Sequence, residues 1–230
     1  MDFTQIYRLL EDTETRWFTL KEVLDTLEDI NVVNSDGLSL LHLLIRYDPE
    51  KLWIIILLYL FERKIDLELR THGINETALV YASRRHRYQY IQLLVDHGAN
   101  VNAADEHKDT ALLWCVYSGH LDMVQYLIAN GANPYHNYCN NRNSLMWAVV
   151  QNKVRVARYL SDRFFGDINQ EDRFGHTIFT LSNSFEMNAV LDSALQRTKL
   201  MLFLYLKKKN LDSNCLMDRN LIRMILSFYN

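Results

Sequence analysis

The chain has 230 residues, of which 49% are hydrophobic and 23% are charged, and this composition excludes wholesale disorder. The net charge is −3 and no long basic run occurs, so the sequence gives no basis for binding DNA or RNA through their phosphates. Three scattered cysteines are too few for a disulfide framework and are typical of a reducing compartment.

The first elements in chain order are predicted helices. Residues 1–33 show the apolar spacing of two short helices, and acidic residues stand where a signal peptide needs positive charge. The most apolar segment of the chain follows, from Leu52 to Phe61. As a helix this segment spans about 15 Å, half the hydrocarbon core of a bilayer. We therefore predict a buried helix here rather than a membrane span.

The middle of the chain is repetitive. Residues 76–105 and 109–138 align with each other without gaps. The same repeat spacing continues downstream, with Asn143 and Leu145 at the equivalent positions. A degenerate copy begins at Asp172, slightly later than this spacing predicts. Upstream, a copy begins at Asp36, with a short insertion before the next one. A period of about 33 residues that holds two short helices predicts stacked repeats, which bury one continuous core together.

Each repeat carries its own start and stop signals. Thr77 and Thr110 precede apolar helical spacing, and a threonine there is a typical N-cap. Gly98 and Gly131 follow the second helix, where the chain must adopt a left-handed conformation to end it. Cys115 occupies a small-residue core position and is predicted to be packed rather than reactive.

Several motifs resemble the ankyrin-repeat family. They are the helix starts ETAL and DTALLWC, the helix ends LLVDHGANVNAAD and YLIANGANPY, and the pair Gly119-His120; His42 corresponds to the family histidine. The resemblance implies an all-α solenoid of stacked helix-turn-helix units with loop fingers and helical caps. The expected domains are an N-terminal cap at 1–33, for which a highly diverged repeat is the alternative, an array at 34–206 with repeats at 34–70, 71–104, 105–137, 138–170 and 171–206, and a capping helix or F-box-like tail at 207–230.

Motifs of known catalytic sites are missing from the sequence. It contains no nucleotide-binding, hydrolase or metalloprotease motif, and we predict no enzyme, no cofactor and no metal site. His136 and Cys139 have a ligand-like spacing, but no second pair accompanies them, so they are interpreted as a polar loop tip.

The resemblance also implies where a protein partner binds, namely the loop tips and the exposed side of the first helix in each repeat. Carried over position by position, the helix residues are Arg46, Tyr47, Arg84, Arg85, Tyr117, Ser118, Val150, Gln151 and Phe185, and the tip residues are His107, Lys108, Arg142 and Phe174. Aromatic residues and arginine are enriched at interface hot spots. A partner with an acidic or phosphorylated segment would match the arginines. The alternative interpretation of residues 84–87 is an ordinary solvated helix end.

The C-terminal residues carry a second resemblance. Residues 216–229 are similar to the start of an F-box-type helix, which ends many viral ankyrin proteins and recruits a ubiquitin-ligase adaptor. The residues expected to contact such an adaptor are Leu216, Leu221, Ile225 and Leu226. A capping helix explains the same apolar spacing. The lysines at 207–209 are interpreted as a solvated helix end, with a nuclear signal as the alternative.

These observations lead to three hypotheses about function. The first is a non-catalytic cytoplasmic binder or adaptor that contacts protein and neither nucleic acid nor membrane. The second is a substrate receptor that recruits a ubiquitin ligase through its tail, and the third is an enzyme built in an atypical C-terminal region. Many Asn, Ile and Tyr residues and degraded repeats favour a viral or bacterial effector, which would act in the host cytosol or the nucleus.

Overall fold

The structure is a computed structural model that describes residue 6 and residues 17–47, 53–164 and 170–208. In these residues it is built from helices and connecting loops, without a β-strand, and the fold is all-α. The helices are α1 (Trp17–Asp25), α2 (Leu40–Tyr47), α3 (Trp53–Glu62), α4 (Ala78–Arg84), α5 (Tyr88–Asp96), α6 (Ala111–Ser118), α7 (Leu121–Ala129), α8 (Ser144–Val150), α9 (Val154–Arg163), α10 (Ile178–Leu181) and α11 (Phe185–Lys208).

The chain forms two compact units. The first unit comprises residues 1–115 and 125–132, and the second comprises residues 116–124 and 133–230. Within the first unit, α2 packs on both α3 and α4, and α4 packs on α5. Within the second unit, α8 packs on both α9 and α10, and α9 packs on α11.

Side-chain caps start the first helix of successive repeats. The hydroxyl of Thr77 accepts a hydrogen bond from the backbone N–H of Val80 at 3.5 Å, and Thr110 accepts one from Leu113 at 3.4 Å. Both caps were predicted, and the structure confirms them. In the next repeat Asn143 takes this role and accepts from the N–H of Met146 at 3.0 Å. These bonds satisfy N–H groups that a helix start otherwise leaves without partners.

Left-handed residues end the helices. Gly98 and Gly131 both have φ of +90°, which confirms their predicted role in stopping the second helix of a repeat. A second set lies between the two helices of a repeat, where His86, Gly119 and Asn152 have φ of 58°, 84° and 51°. The members of this second set occupy equivalent positions of successive repeats, so each repeat makes the same turn.

The fingers, which are the loops that join one repeat to the next, contain a third set of left-handed residues. Its members are Gly37, Asn75, Lys108, Asn141 and Gly175, one in each finger. The spacing of these residues along the chain matches the repeat period of the sequence. It also reproduces the insertion early in the array and the late start of the last copy. Isolated antiparallel bridges close three of the fingers. The domain boundaries stay a prediction.

The core of the first unit surrounds a buried histidine. His42 Nδ1 lies 2.8 Å from the hydroxyl of Ser39, and its Nε2 lies 3.3 Å from the carbonyl oxygen of Glu76 in the next finger. Burial lowers the pKa of His42 to about 4, so the ring is neutral at physiological pH. The neutral ring joins two fingers without introducing a buried charge.

Helix α1 is fixed to α3 by apolar and polar contacts. Leu20 and Leu24 line a small cavity together with Ile6, Leu40, Leu44, Ile56 and Leu60. At the rim of this contact, the hydroxyl of Tyr59 donates to Asp25, and Arg63 donates to the Tyr59 hydroxyl at 2.8 Å and to the carbonyl of Leu27 at 3.0 Å. The N-terminal flank therefore packs against the apolar segment of the chain.

The prediction that the apolar segment is a buried helix is wrong for one of its faces. In α3, Leu57 and Leu60 are buried, but Ile54, Ile55 and Leu58 are exposed by 42% to 43%. A helix that is apolar all round needs neighbours on every side, and α3 is packed on part of its circumference only. Among the described residues, no helix combines the length and the apolar character that crossing a membrane requires.

Candidate partner-binding surfaces

In the first unit, Arg84 is bound to a buried carboxylate. Its Nε donates to Glu76 Oε1 at 2.5 Å and its Nη2 donates to Oε2 at 2.8 Å, while Glu76 is 1% exposed. The hydrogen bond with Glu76 is the main cause that raises the pKa of Arg84. A buried carboxylate requires such a partner, so the charge of Arg84 is committed to the fold.

The neighbouring Arg85 and the earlier Arg46 are exposed. The guanidinium of Arg85 lies 4.5 Å from the ring centroid of the buried Tyr81, and that of Arg46 lies 5.8 Å from the ring of Tyr47. These cation–π contacts hold the charged heads near an aromatic surface. Neither arginine forms an ion pair with a described residue, so both present an uncompensated cation to a partner.

The finger of the first unit that carries His107 and Lys108 has a fixed backbone. Asp105 Oδ1 accepts hydrogen bonds from the backbone N–H groups of His107 and Asp109, both at 2.9 Å, and the two predicted tip residues are exposed to solvent. Burial, followed by the charge of Asp105, raises the pKa of Asp109 to about 6. This finger therefore holds a carboxylate that ionises less readily than an ordinary aspartate.

In the second unit, Arg142 connects two fingers. Its Nε and Nη2 donate to Asp172 Oδ2 at 3.0 Å and 2.7 Å, and the side chain is only 13% exposed. Burial opposes the ionisation of Asp172, but hydrogen bonds from the His176 backbone and from Arg142 outweigh it and lower the pKa of this carboxyl group. Like Arg84, Arg142 serves the fold and is not available as a free tip cation.

The remaining predicted residues of the second unit include three exposed aromatic side chains. Tyr117, Phe174 and Phe185 are 43%, 62% and 90% exposed. Ser118, Val150 and Gln151 are half-buried at the ends of α6 and α8. The structure thus separates the predicted arginines and aromatic residues into arginines paired with buried carboxylates, exposed arginines and exposed aromatics.

Trp147 belongs beside this set, although sequence reasoning did not select it. Its ring lies 6.3 Å from that of Tyr117, and the guanidinium of Arg142 lies 5.5 Å from it. The indole Nε1 is buried and has no acceptor among the described residues. The signal that could have identified it is the recurrence of an aromatic residue once per repeat, at Tyr81, Trp114 and Trp147.

A model of three consecutive ankyrin repeats matches residues 54–138 and, in an overlapping match, residues 104–172, which together make up just over half of the chain. This chain belongs to the ankyrin-repeat family. Ankyrin repeats are protein–protein interaction modules, and the family is typically non-enzymatic. No curated protein sequence matches the chain significantly.

Two observations concern metal ligands and Cys115 in the described residues of the array. Among the described residues, no group of three or more His, Cys, Asp or Glu side chains is placed to hold a metal ion. Cys115 is buried and burial raises the pKa of its thiol to about 12, which confirms that it is a packed side chain. The four residues expected to contact a ubiquitin-ligase adaptor, from Leu216 to Leu226, lie outside the described residues.

Proposed function

We propose that this ankyrin-repeat protein binds a protein partner through the exposed aromatic residues of its second unit. The observation that carries the proposal is the exposure of Tyr117, Phe174 and Phe185, all at positions where the family binds partners. Large aromatic side chains bury much area with little loss of entropy, and they dominate many interfaces.

The repeat fold does not require a tyrosine at the position of Tyr117. The repeat position of Tyr117 is occupied by Arg84 one repeat earlier and by Val150 one repeat later. Ser118 corresponds in the same way to Arg85 and Gln151. Since three chemically different residues fit the same place in the repeat, the choice of tyrosine supports a role in binding.

The proposal also includes contacts with charged groups of the partner, and these are made by exposed arginines of the first unit. Arg84 is excluded by its pairing with Glu76, whereas Arg46 and Arg85 are exposed and lie over aromatic rings. Arginine forms bidentate hydrogen bonds with carboxylates and phosphates. An acidic or phosphorylated segment of the partner would match these two residues.

The test begins with the full chain as bait and identifies co-purifying proteins by mass spectrometry. Each partner is then titrated against the double variant Tyr117→Ala/Phe185→Ala. We expect the binding free energy to weaken by about 2 kcal/mol or more if both side chains are hot spots of the interface. The matched control is Leu200→Ala, because Leu200 is 56% exposed in the same unit but lies outside the predicted surface. Unchanged affinity of the double variant, with an unchanged thermal melt, would refute the proposal.

A finer form of the proposal makes the protein a blocker or adaptor that acts as an effector inside a host cell. A second candidate function is a substrate receptor for ubiquitination, supported by the apolar spacing of Leu216, Leu221, Ile225 and Leu226. Deleting residues 216–230 distinguishes the two. Loss of a co-purifying ligase adaptor, with the main partner retained, would support the receptor. Retention of all partners would support the simple binder.

A further inference from the structure

Helix α9 of the second unit presents an arginine-rich face. Its buried side is formed by Val156, Ala157 and Leu160. Its exposed side carries Arg155, Arg158 and Arg163. The sequence has no basic run here, but helical spacing collects these arginines on the solvent side of one helix.

Two of these arginines differ from the third in their contacts with the described residues. Arg155 and Arg158 form no ion pair with a described residue, and the acidic side chain on the same face, Asp162, accepts a hydrogen bond from Arg197 of α11 instead. The third, Arg163, lies over the ring of Tyr159 at 5.4 Å. The face therefore carries spare positive charge that no contact within the described chain uses.

The helix would be more stable without this charge. Arg155 lies in the first turn, where the helix dipole disfavours a cation, and Arg158 lies one turn further along the same face, where like charges repel each other. The corresponding positions of the two preceding repeats carry no cation. Gln89 and Asp122 correspond to Arg155, and Gln92 and Gln125 correspond to Arg158. The ankyrin repeat consequently folds without these arginines.

Tyr159, which lies under Arg163, belongs to a small aromatic cluster. The Phe164 ring lies 6.2 Å from that of Tyr159 and 6.3 Å from that of Tyr135, and Tyr135 is 39% exposed. Arginine and aromatic residues together are the composition of interface hot spots. The cluster offers both a charge for an anionic group and an apolar surface beside it.

We infer that the arginines of α9, together with Tyr135, Tyr159 and Phe164, form a second docking surface for an acidic protein segment that carries an aromatic or aliphatic residue. Carboxylates would pair bidentately with Arg155 and Arg158, and the apolar residue would pack on the aromatic cluster. The face offers only three arginines and the sequence has no long basic run, so few phosphate contacts are available and a protein ligand is favoured over a nucleic acid. This surface shares no residue with the set Tyr117, Phe174 and Phe185, so its test is independent of the proposed function.

The test uses the full chain and a short fluorescent peptide that is rich in glutamate and contains one phenylalanine. Fluorescence anisotropy measures its binding to the wild-type protein and to Arg155→Gln/Arg158→Gln, which introduces the residue that α5 carries at both positions. We expect binding to weaken at least about tenfold in the double variant and to decrease as salt is raised. The matched control, Lys64→Gln/Lys199→Gln, removes the same charge at two exposed lysines that belong to neither proposed surface and should leave binding unchanged.

A peptide with glutamine in place of glutamate should not bind, and an RNA oligonucleotide of equal charge should bind more weakly than the acidic peptide. The inference is overturned if the peptide does not bind to the wild-type chain, if the α9 variant binds it equally well, or if the lysine control loses binding instead. Preferential binding of the RNA would also overturn it. A thermal melt of each variant ensures that a lost fold is not mistaken for a lost surface.

Discussion

Buried carboxylates need a cation or several hydrogen-bond donors, and the fingers of this protein supply both. Glu76 is paired with Arg84, and Asp172 receives Arg142 and backbone N–H groups. The sequence alone does not separate Arg84 from Arg85, since the two are adjacent and have the same side chain. Only the fold, which brings the finger residue Glu76 against the end of α4, decides which arginine is structural.

Arginines 84 and 85 should therefore respond differently to truncation. Arg84→Ala leaves Glu76 buried without its cation, and we expect the free energy of unfolding to fall by about 3 kcal/mol. Arg85→Ala removes an exposed side chain and should change stability by less than about 1 kcal/mol. Urea denaturation of both variants measures the difference. Equal effects would show that the Glu76 pair contributes nothing beyond ordinary surface contacts.

The finger residue Asp109 predicts a dependence of stability on pH. Its pKa in the folded protein is raised from 3.8 to about 6, so the folded state holds the proton more tightly than the unfolded state. The contribution of this residue to stability is therefore lost as pH rises from about 4 to about 6. Asp109→Asn should stabilise the protein at neutral pH by an amount on the order of 1 kcal/mol.

Thermal melts between pH 4 and neutrality test this expectation, and the gain should vanish near the acidic end. The matched control is Glu106→Gln, which removes an exposed acid from the same finger. A gain for Asp109→Asn that persists unchanged at low pH would contradict the assigned cause.

At the level of helices, local signals predicted starts and stops well. Threonine caps and left-handed glycines are determined by nearby residues, and the structure confirms both kinds. The buried face of α3 could not be predicted, because a segment without polar residues has no periodicity to read. Its exposed residues Ile54, Ile55 and Leu58 are determined by which neighbours surround the helix, and that is a tertiary property.

Helix α3 allows a matched test of this arrangement. Leu60 is 1% exposed and lines the contact with α1, so Leu60→Ala should destabilise the protein by about 2 to 5 kcal/mol. Leu58→Ala, on the exposed face of the same helix, should cost less than about 1 kcal/mol. Chemical denaturation compares the two. A large loss for Leu58→Ala would mean that this face is covered in solution.

For the whole molecule, the regular period of the sequence was enough to predict the repeat fold, because each repeat relies on the same few contacts. The distribution of charge was harder to predict. Long basic runs are missing from the sequence, whereas α9 gathers Arg155, Arg158 and Arg163 through helical spacing. In a helical array, the residues that share a surface are determined by how each helix is rotated about its axis. A charged surface therefore need not appear as a run of charged residues in the sequence.

The turn between the two helices of a repeat has a consequence for how such arrays diverge. His86, Gly119 and Asn152 hold one backbone shape with three different side chains. The cost of a non-glycine residue at positive φ is small enough for the other contacts of a repeat to absorb. The residue at this turn can therefore differ from one repeat to the next while the positive φ angle is kept. In this protein, the repeats therefore share a backbone conformation at a position where their side chains differ.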